Sequence, residues 1–474
     1  MTSTALDGQA PVAAAPGRRY GLGAILAAVG IPTFMVTLDN LVVTNALPVI
    51  RTELNASLTD LQWFVNAYTL AFAALLLTAA ALGDRLGRRR LFLAGIALFT
   101  LASAACALVT EPWMLIGARA IQGVGAAAVM PLALTLLASA VPERQRSAAI
   151  GIWGGISGLG VAVGPVVGGA VVEGLNWQWI FWLNVPIGVV AIVLAARVLK
   201  ESHGIKQRLD LPGLGLASVG VLAIVWGVVN GADDGWTSGG VLTSLIAGVV
   251  LLAAFIGWER RTATPMLPLR LYKIRSFSVV NVVWFTFSLG VFGSVFLLSQ
   301  FFQVVQHYSP LESGIRTMPW TMAPMVVAPI AGLIVDRVGP RVLVTTGQVL
   351  LVIALSWMAL VTTAEVTFGQ FLIPFILGGI GMGLTFAPLA AVMMTEMTDA
   401  DRGVASGANS TIREIGVAMG IAVLVSVFAS AGSYETPDLY VDGLVPAVWT
   451  GAAVVAVGAA ASLLLPGKRK AVRS

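Results

Sequence analysis

Gly83-Asp84-Arg85-Leu86-Gly87-Arg88-Arg89-Arg90 is a short polar stretch between two long apolar ones, and a variant of it, Asp336-Arg337-Val338-Gly339-Pro340-Arg341, returns between two other apolar stretches late in the chain. Each copy places glycine three residues after the acid, where a tight reversal needs it. A loop that occurs twice implies that the helices flanking it occur twice as well.

Working outward, a membrane-spanning helix needs about 20 predominantly apolar residues. Such stretches lie near 22–48, 60–82, 91–110, 113–140, 147–172 and 178–197, then 212–230 and 240–258. Six more follow near 277–302, 312–334, 342–362, 368–395, 403–430 and 443–465, which makes fourteen. The polar linkers 198–211 and 259–276 bracket the middle two. The expected fold is therefore all-α and membrane-embedded. It has a cytoplasmic tail (1–21), a six-helix bundle (22–200), a linker with an inserted helix pair (201–258), a second six-helix bundle (259–466) and a basic tail (467–474). The two repeated loops fall at equivalent places, between helices 2 and 3 and between helices 10 and 11.

Composition agrees. Of 474 residues, 57% are hydrophobic and 11% charged, against roughly 25% charged in soluble domains. The 52 glycines suit close helix approach in lipid. With both termini on the cytoplasmic side, every basic residue of the 28 falls in a cytoplasmic segment except Arg51, Arg119, Arg316 and Arg413. Dropping one helix would invert every later loop, so the positive-inside rule supports fourteen spans. The net charge of +5 thus reports orientation in an inner (plasma) membrane and not a nucleic-acid partner. No apolar stretch precedes Ala13, so no cleaved signal peptide is expected. Cys106 is the single cysteine, which excludes an intrachain disulfide, and His203 and His307 lie in loops, so no metal site is expected. No Gly-Lys-Ser/Thr phosphate loop appears, which argues against ATP hydrolysis and for a gradient as the energy source.

Four segments carry the candidate mechanism. Helix 1 contains Leu38-Asp39-Asn40-Leu41-Val42-Val43-Thr44-Asn45-Ala46-Leu47-Pro48. A carboxylate within a span is costly and is by default a functional candidate. Helix 4 contains Arg119 and Gln122 in Arg119-Ala120-Ile121-Gln122-Gly123-Val124-Gly125. A rise of about 1.5 Å per residue sets Arg119 roughly 9 Å and Asp39 roughly 13 Å from the outer face, close enough for contact, directly or through water. The loop residues Gly83, Asp84, Arg85, Gly87 and Arg88, with Asp336 and Arg337 in the second copy, form a basic cluster at the junction of the halves. There Asp84 can approach a positive helix N-terminus. Helix 5 carries Gly160, Gly164 and Gly168 every fourth residue, with Pro165 and Gly169 beside them, a flat face for helix packing with a local bend.

Taken together and in this order, these segments resemble the fourteen-helix drug:proton antiporter branch of the major facilitator superfamily, over nearly the whole chain. Leu41 stands where that branch usually has threonine. The resemblance implies proton transfer for Asp39 and Arg119, a conformational latch for the 83–90 loop, and antiport for the helix 5 glycines. Trp177, Trp179, Phe181, Asn184, Pro186 and Gly188 around helix 6 match too, the aromatics suiting an interface belt. Ser57-Leu58-Thr59-Asp60 reads as a helix cap. Arg413 and Glu414 on helix 13 are a secondary coupling candidate, while Arg316, Glu173 and Glu396 suit helix ends.

The expected function is export of amphipathic or aromatic small molecules such as drugs or antibiotics, in exchange for protons, by a non-enzymatic and cofactor-free monomer. The alternative is a gradient-driven transporter of one endogenous metabolite or nutrient. Trp63, Tyr68, Met130, Trp153, Trp284 and Phe287 are candidate cavity residues, since aromatic and methionine surfaces adapt to varied ligands. A cationic substrate would compete with the proton for Asp39.

Overall fold

The computed structural model describes residues 20–203, 210–262, 265, 267, 269–397 and 402–467. The expected terminal tails fall almost wholly outside these residues. Fourteen helices follow one another: α1 Leu22–Leu54, α2 Leu58–Leu86, α3 Arg88–Ala107, α4 Pro112–Ala140, α5 Glu143–Gly174, α6 Trp179–Val198, α7 Leu211–Asp234 and α8 Gly239–Glu259. A single 3-10 turn, Leu269–Lys273, then leads into α9 Arg275–Val304, α10 Pro310–Val338, α11 Pro340–Val361, α12 Phe368–Glu396, α13 Arg402–Ala431 and α14 Pro437–Ser462. Thirteen are long and apolar enough to cross a bilayer as they stand, and α2 does so as two segments, Leu58–Leu76 and Thr78–Leu86, bent by 51°. Helices satisfy their own backbone hydrogen bonds, the condition for crossing hydrocarbon.

The helix ends are closed locally, because the first N–H groups of a helix have no partner within it. Ser57 and Asp60 form a reciprocal capping box on α2. Ser238, Ser309 and Thr436 cap α8, α10 and α14 with a single side-chain bond each, accepting from Val241 N, Glu312 N and Leu439 N. Gly87 and Gly339, the repeated loop glycines, have φ of 111° and 97°, a region open to glycine and costly for other residues.

Packing repeats with an offset of eight helices. α1 lies on α5 as α9 lies on α13, α2 on α4 as α10 on α12, α3 on α4 as α11 on α12, and α3 on α6 as α11 on α14. Two seams join the halves, α5 against α10 and α2 against α13, and these too exchange under the repeat. The inserted pair α7–α8 packs on itself and lays α7 along the α2–α13 seam. There Val225 and Val229 meet Leu70, Ala418 and Ala422. α8 is mostly outward-facing, with only 17% of its central stretch buried, as suits a helix in lipid.

Candidate functional site

α1 buries Asp39 in the amino-terminal half, where its side chain and that of Arg119 on α4 are each 1% exposed. Arg119 Nη1 donates to Asp39 Oδ2 at 2.5 Å and to Gln122 Oε1 at 2.6 Å. Gln122 Nε2 donates to the other carboxylate oxygen at 2.9 Å, which closes a three-membered ring of side chains. Asn184 on α6 supplies a further donor to that oxygen at 2.8 Å and also bonds Ser103. Arg119 is steadied by the Phe64 carbonyl at 3.1 Å and by the Tyr68 ring, 4.3 Å from its guanidinium carbon. Three donors converge on one carboxylate and only a donor-rich side chain faces it. The cluster thereby fills the hydrogen-bonding capacity of the pair, the condition under which an ion pair is tolerated away from water.

The glycines of α5 divide between two neighbours. A Cβ added at Gly160, Gly164 or Gly168 would run into Thr37, Leu41 or Val42 of α1. One added at Gly169 would overlap Pro310 and Leu311 of α10, in the other half. Gly314 of α10 answers by fitting against Pro165. Around this contact the halves are bolted together at the end of the molecule remote from the arginine loop. Asn45 Nδ2 donates at 3.0 Å to the carbonyls of both Pro165 and Pro310, and Gln303 Nε2 donates to the Asn45 carbonyl at 2.8 Å. Glu173 accepts from Leu311 N, and the Arg51 guanidinium lies 3.9 Å from the Tyr434 ring centre. Burial raises the Tyr434 phenol well above its ordinary range, so it stays neutral and donates to Gln300.

Below that seal a cavity of about 580 Å³ separates the halves. It runs from Asn45 to Gly154 and Gly155 on α5 and to Pro329 and Gly332 on α10, near the helix ends that carry the arginine loop. The seal thus closes one end of the space between the halves, and the cavity runs from it toward the other.

Several expectations need correction. None of Trp63, Tyr68, Met130, Trp153, Trp284 and Phe287 lines this cavity. Trp63 packs where α7 docks, Tyr68 lies under Arg119, and Met130 and Trp153 pack on the core of the amino-terminal half, with Trp153 donating to Thr33. Trp284 and Phe287 stand one layer behind Phe386, whose ring centre is 5.0 and 5.2 Å from theirs. The cavity aromatics are Phe292, Phe302, Trp320, Phe375 and Phe386. The spans are apolar all round, so periodicity does not separate core, lipid and cavity faces. The sequence signal that marks the wall is instead Pro324 and Pro329 in α10, which line the cavity together with Gly154, Gly155 and Gly158 of α5.

The arginine loop also differs. Asp84 bonds Arg88 at 2.7 Å within the loop. The carboxylate at the N-terminus of α3 is that of Glu201, which accepts from Arg89 N and Arg90 N at 2.9 and 3.2 Å. The loop's other described bonds reach Ala196 and Ser202, so these contacts stay within the amino-terminal half and do not bridge to its partner. Asp336 and Arg337 are exposed at the equivalent place, and Arg341 holds the second loop by donating to the Leu465 carbonyl.

Arg413 pairs with Glu414 at 2.9 Å on α13. Arg316 pairs with Glu312 beside the Tyr308 ring, and the Glu396 side chain lies outside the described residues. Trp177 is fully buried and donates to Glu53, so it belongs to the core, while Trp179 is exposed. Asn184 and Ser103 are the functional neighbours that sequence did not assign to Asp39. Among the described residues no group of three or more His, Cys, Asp or Glu is gathered as a metal site.

The family model described as Major Facilitator Superfamily matches residues 29–421. The chain belongs to this superfamily. The multidrug resistance protein Stp of Mycobacterium tuberculosis is 37% identical over 407 residues, covering 85% of this chain and 75% of that one. The cephamycin export protein CmcT of Amycolatopsis lactamdurans is 37% identical over 413 residues, covering 86% and 85%. The multidrug efflux pump LfrA of Mycolicibacterium smegmatis is 34% identical over 467 residues, covering 97% and 90%. Among solved structures, a bacterial homologue of the human lysosomal transporter Spinster, in an inward-facing and unoccupied conformation, matches with a TM-score of 0.67. It is 15% identical over 94% of this chain and 97% of that one, a likeness of fold. Superfamily membership makes the protein a multi-pass transporter of small molecules.

Proposed function

We propose that this superfamily member is a proton-coupled exporter of amphipathic or aromatic small molecules, working as a monomer by alternating access and without a cofactor. The observation that carries the reading is the sealed Asp39–Arg119 pair on α1 and α4, beside a cavity that runs from the seal at one end toward the other. The names of the relatives, multidrug resistance, cephamycin export and multidrug efflux, supply the direction and the substrate class. The arginine-loop end and both termini are assigned to the cytoplasm, since basic loops are retained there. The cavity then faces inward, ready to load a substrate for export.

Asp39 takes a proton when the halves 22–200 and 259–466 open outward, where the driving gradient is acidic. On return to the inward-open state, where Arg119, Gln122 and Asn184 converge on the carboxylate, the proton is released to the cytoplasmic side. α1 carries the consequence: Asp39 lies on its buried side, Leu41 and Thr44 on the cavity, and Asn45 in the outer seal. Asp39 is absent from the cavity wall, so substrate and proton do not compete for the same oxygens; they bias one helix. Expression in a pump-deleted bacterial host, tested against a compound panel, checks the reading. Raised resistance to several unrelated aromatic compounds, lost on collapse of the proton gradient, is expected. Uptake of one metabolite with no resistance would replace it with a nutrient transporter.

A further inference from the structure

The cavity wall bears on which molecules the exporter accepts, an inference that rests on the export reading above. Among the described residues, no Asp, Glu, Lys, Arg or His lines it. The nearest carboxylate on α1, Asp39, is 1% exposed and already holds three donors. Glu414 is bound to Arg413 and does not reach the wall.

The hydroxyl and amide side chains that line the cavity are committed. Thr44 donates to the Asn40 carbonyl, Ser299 to Phe296, Thr317 to Gly314 and Thr321 to Ala162. Asn45 spends its amide on Pro165 and Pro310, and its side-chain oxygen accepts from Gln303. What remains is the spare lone pairs of hydroxyl oxygens and the Trp320 indole N–H, neutral groups that make single hydrogen bonds to a ligand but carry no charge to offset that of an ion. The rest is aliphatic and aromatic. Trp320 and Phe302 meet Phe375 edge to face at 5.9 and 5.8 Å, and Phe386 packs tilted against Trp284 and edge to face against Phe287. Cation–π attraction to these rings offsets only a small part of the cost of stripping water from a charge. The volume of about 580 Å³ falls within the roughly 300–1,000 Å³ of drug-sized sites.

We propose that this cavity selects uncharged, ring-containing apolar molecules and discriminates against both lipophilic cations and anions. A phenolic or anilinic donor is tolerated, because the threonine and serine oxygens retain lone pairs. A fixed charge is not.

The test uses purified full-length protein and two aromatic probes, uncharged N-phenyl-1-naphthylamine and the monovalent cation tetraphenylphosphonium. Equilibrium binding is measured for both, followed by pH-gradient-driven transport in proteoliposomes. The uncharged probe is expected to bind, with the cation at least about tenfold weaker. Met325→Glu places a carboxylate on the wall midway along α10 and is expected to raise cation binding at least about tenfold at alkaline pH, a lower bound, since one close charge pair at an effective dielectric near 20 amounts to roughly a thousandfold. Met325→Gln, similar in size and uncharged, leaves cation binding weak. Wild-type protein that binds the cation as tightly as the uncharged probe, or binds neither, overturns the proposal whatever the variants do. Binding selectivity as expected but without gradient-driven transport upholds the cavity's preference and removes the export reading.

Discussion

Gly169→Ala tests the seal between the halves with one added carbon. That carbon would overlap the Pro310 carbonyl and lie 2.5 Å from Leu311 Cα and 2.6 Å from the Pro310 carbonyl carbon. All three are backbone atoms, so no side chain can swing away. Ordinary carbon contact is about 3.5–4.0 Å, so the α5 and α10 backbones must part by roughly 1 Å to accommodate it. Overpacking of this kind costs about 1–3 kcal/mol. Only the state closed at this end bears that cost, because opening outward separates α5 from α10. The ratio of outward-open to inward-open molecules should therefore rise about 5- to 150-fold. Spin labels at Glu111→Cys and Glu365→Cys, in a Cys106→Ala background, report the distance between the halves at this end. A longer-distance population should appear in Gly169→Ala and not in Gly174→Ala, where an added Cβ meets nothing within 4 Å. An unchanged distance distribution, with thermal stability also unchanged, would refute the idea that Gly169 sets the closed contact.

Arg119→Met leaves the Asp39 carboxylate buried without its cation and is expected to cost about 3–5 kcal/mol, read as a fall in thermal unfolding temperature in detergent. Adding Asp39→Asn should restore part of that loss, and a strictly additive double variant would count against the pairing. Glu201→Gln weakens the carboxylate cap on α3 and should cost about 0.5–2 kcal/mol, seen as faster hydrogen exchange at Arg88–Arg90. Exchange unchanged there would show that Glu201 does not hold the loop. For orientation, a thiol reagent should reach Trp236→Cys in intact cells and Arg90→Cys only after permeabilisation, both in a Cys106→Ala background; the reverse pattern inverts the topology.

Much of this arrangement is legible along the chain because membrane helices leave coarse, additive signals: length, apolarity, and the side on which arginines accumulate. The repeated Asp-x-x-Gly turn announced both halves, and the positive φ of Gly87 and Gly339 shows why glycine recurs there. The depths of Asp39 and Arg119 follow from helix rise alone. What rise does not supply is rotation. Asn184 and Ser103 join the Asp39 cluster through the azimuths of α6 and α3, which apolar spans do not encode. The same gap misplaced the cavity: Trp284 and Phe386 are neighbours at 5.0 Å, yet only Phe386 reaches the open space. Glu201 was hidden for another reason. It caps α3 across more than a hundred residues of chain, a contact made by tertiary folding and not by local spacing.

Coupling is tested most directly by Asp39→Asn beside Glu414→Gln, each reconstituted in proteoliposomes and assayed for transport driven by an imposed pH gradient. Asp39 is held by Arg119, Gln122 and Asn184 in the closed interior of the amino-terminal half, whereas Glu414 shares its charge with the adjacent Arg413. Asp39→Asn is therefore expected to lose gradient-driven transport while still binding substrate, and Glu414→Gln to remain coupled. If Asp39→Asn keeps full coupling and Glu414→Gln loses it, the proton site lies on α13 and the assignment to α1 is wrong.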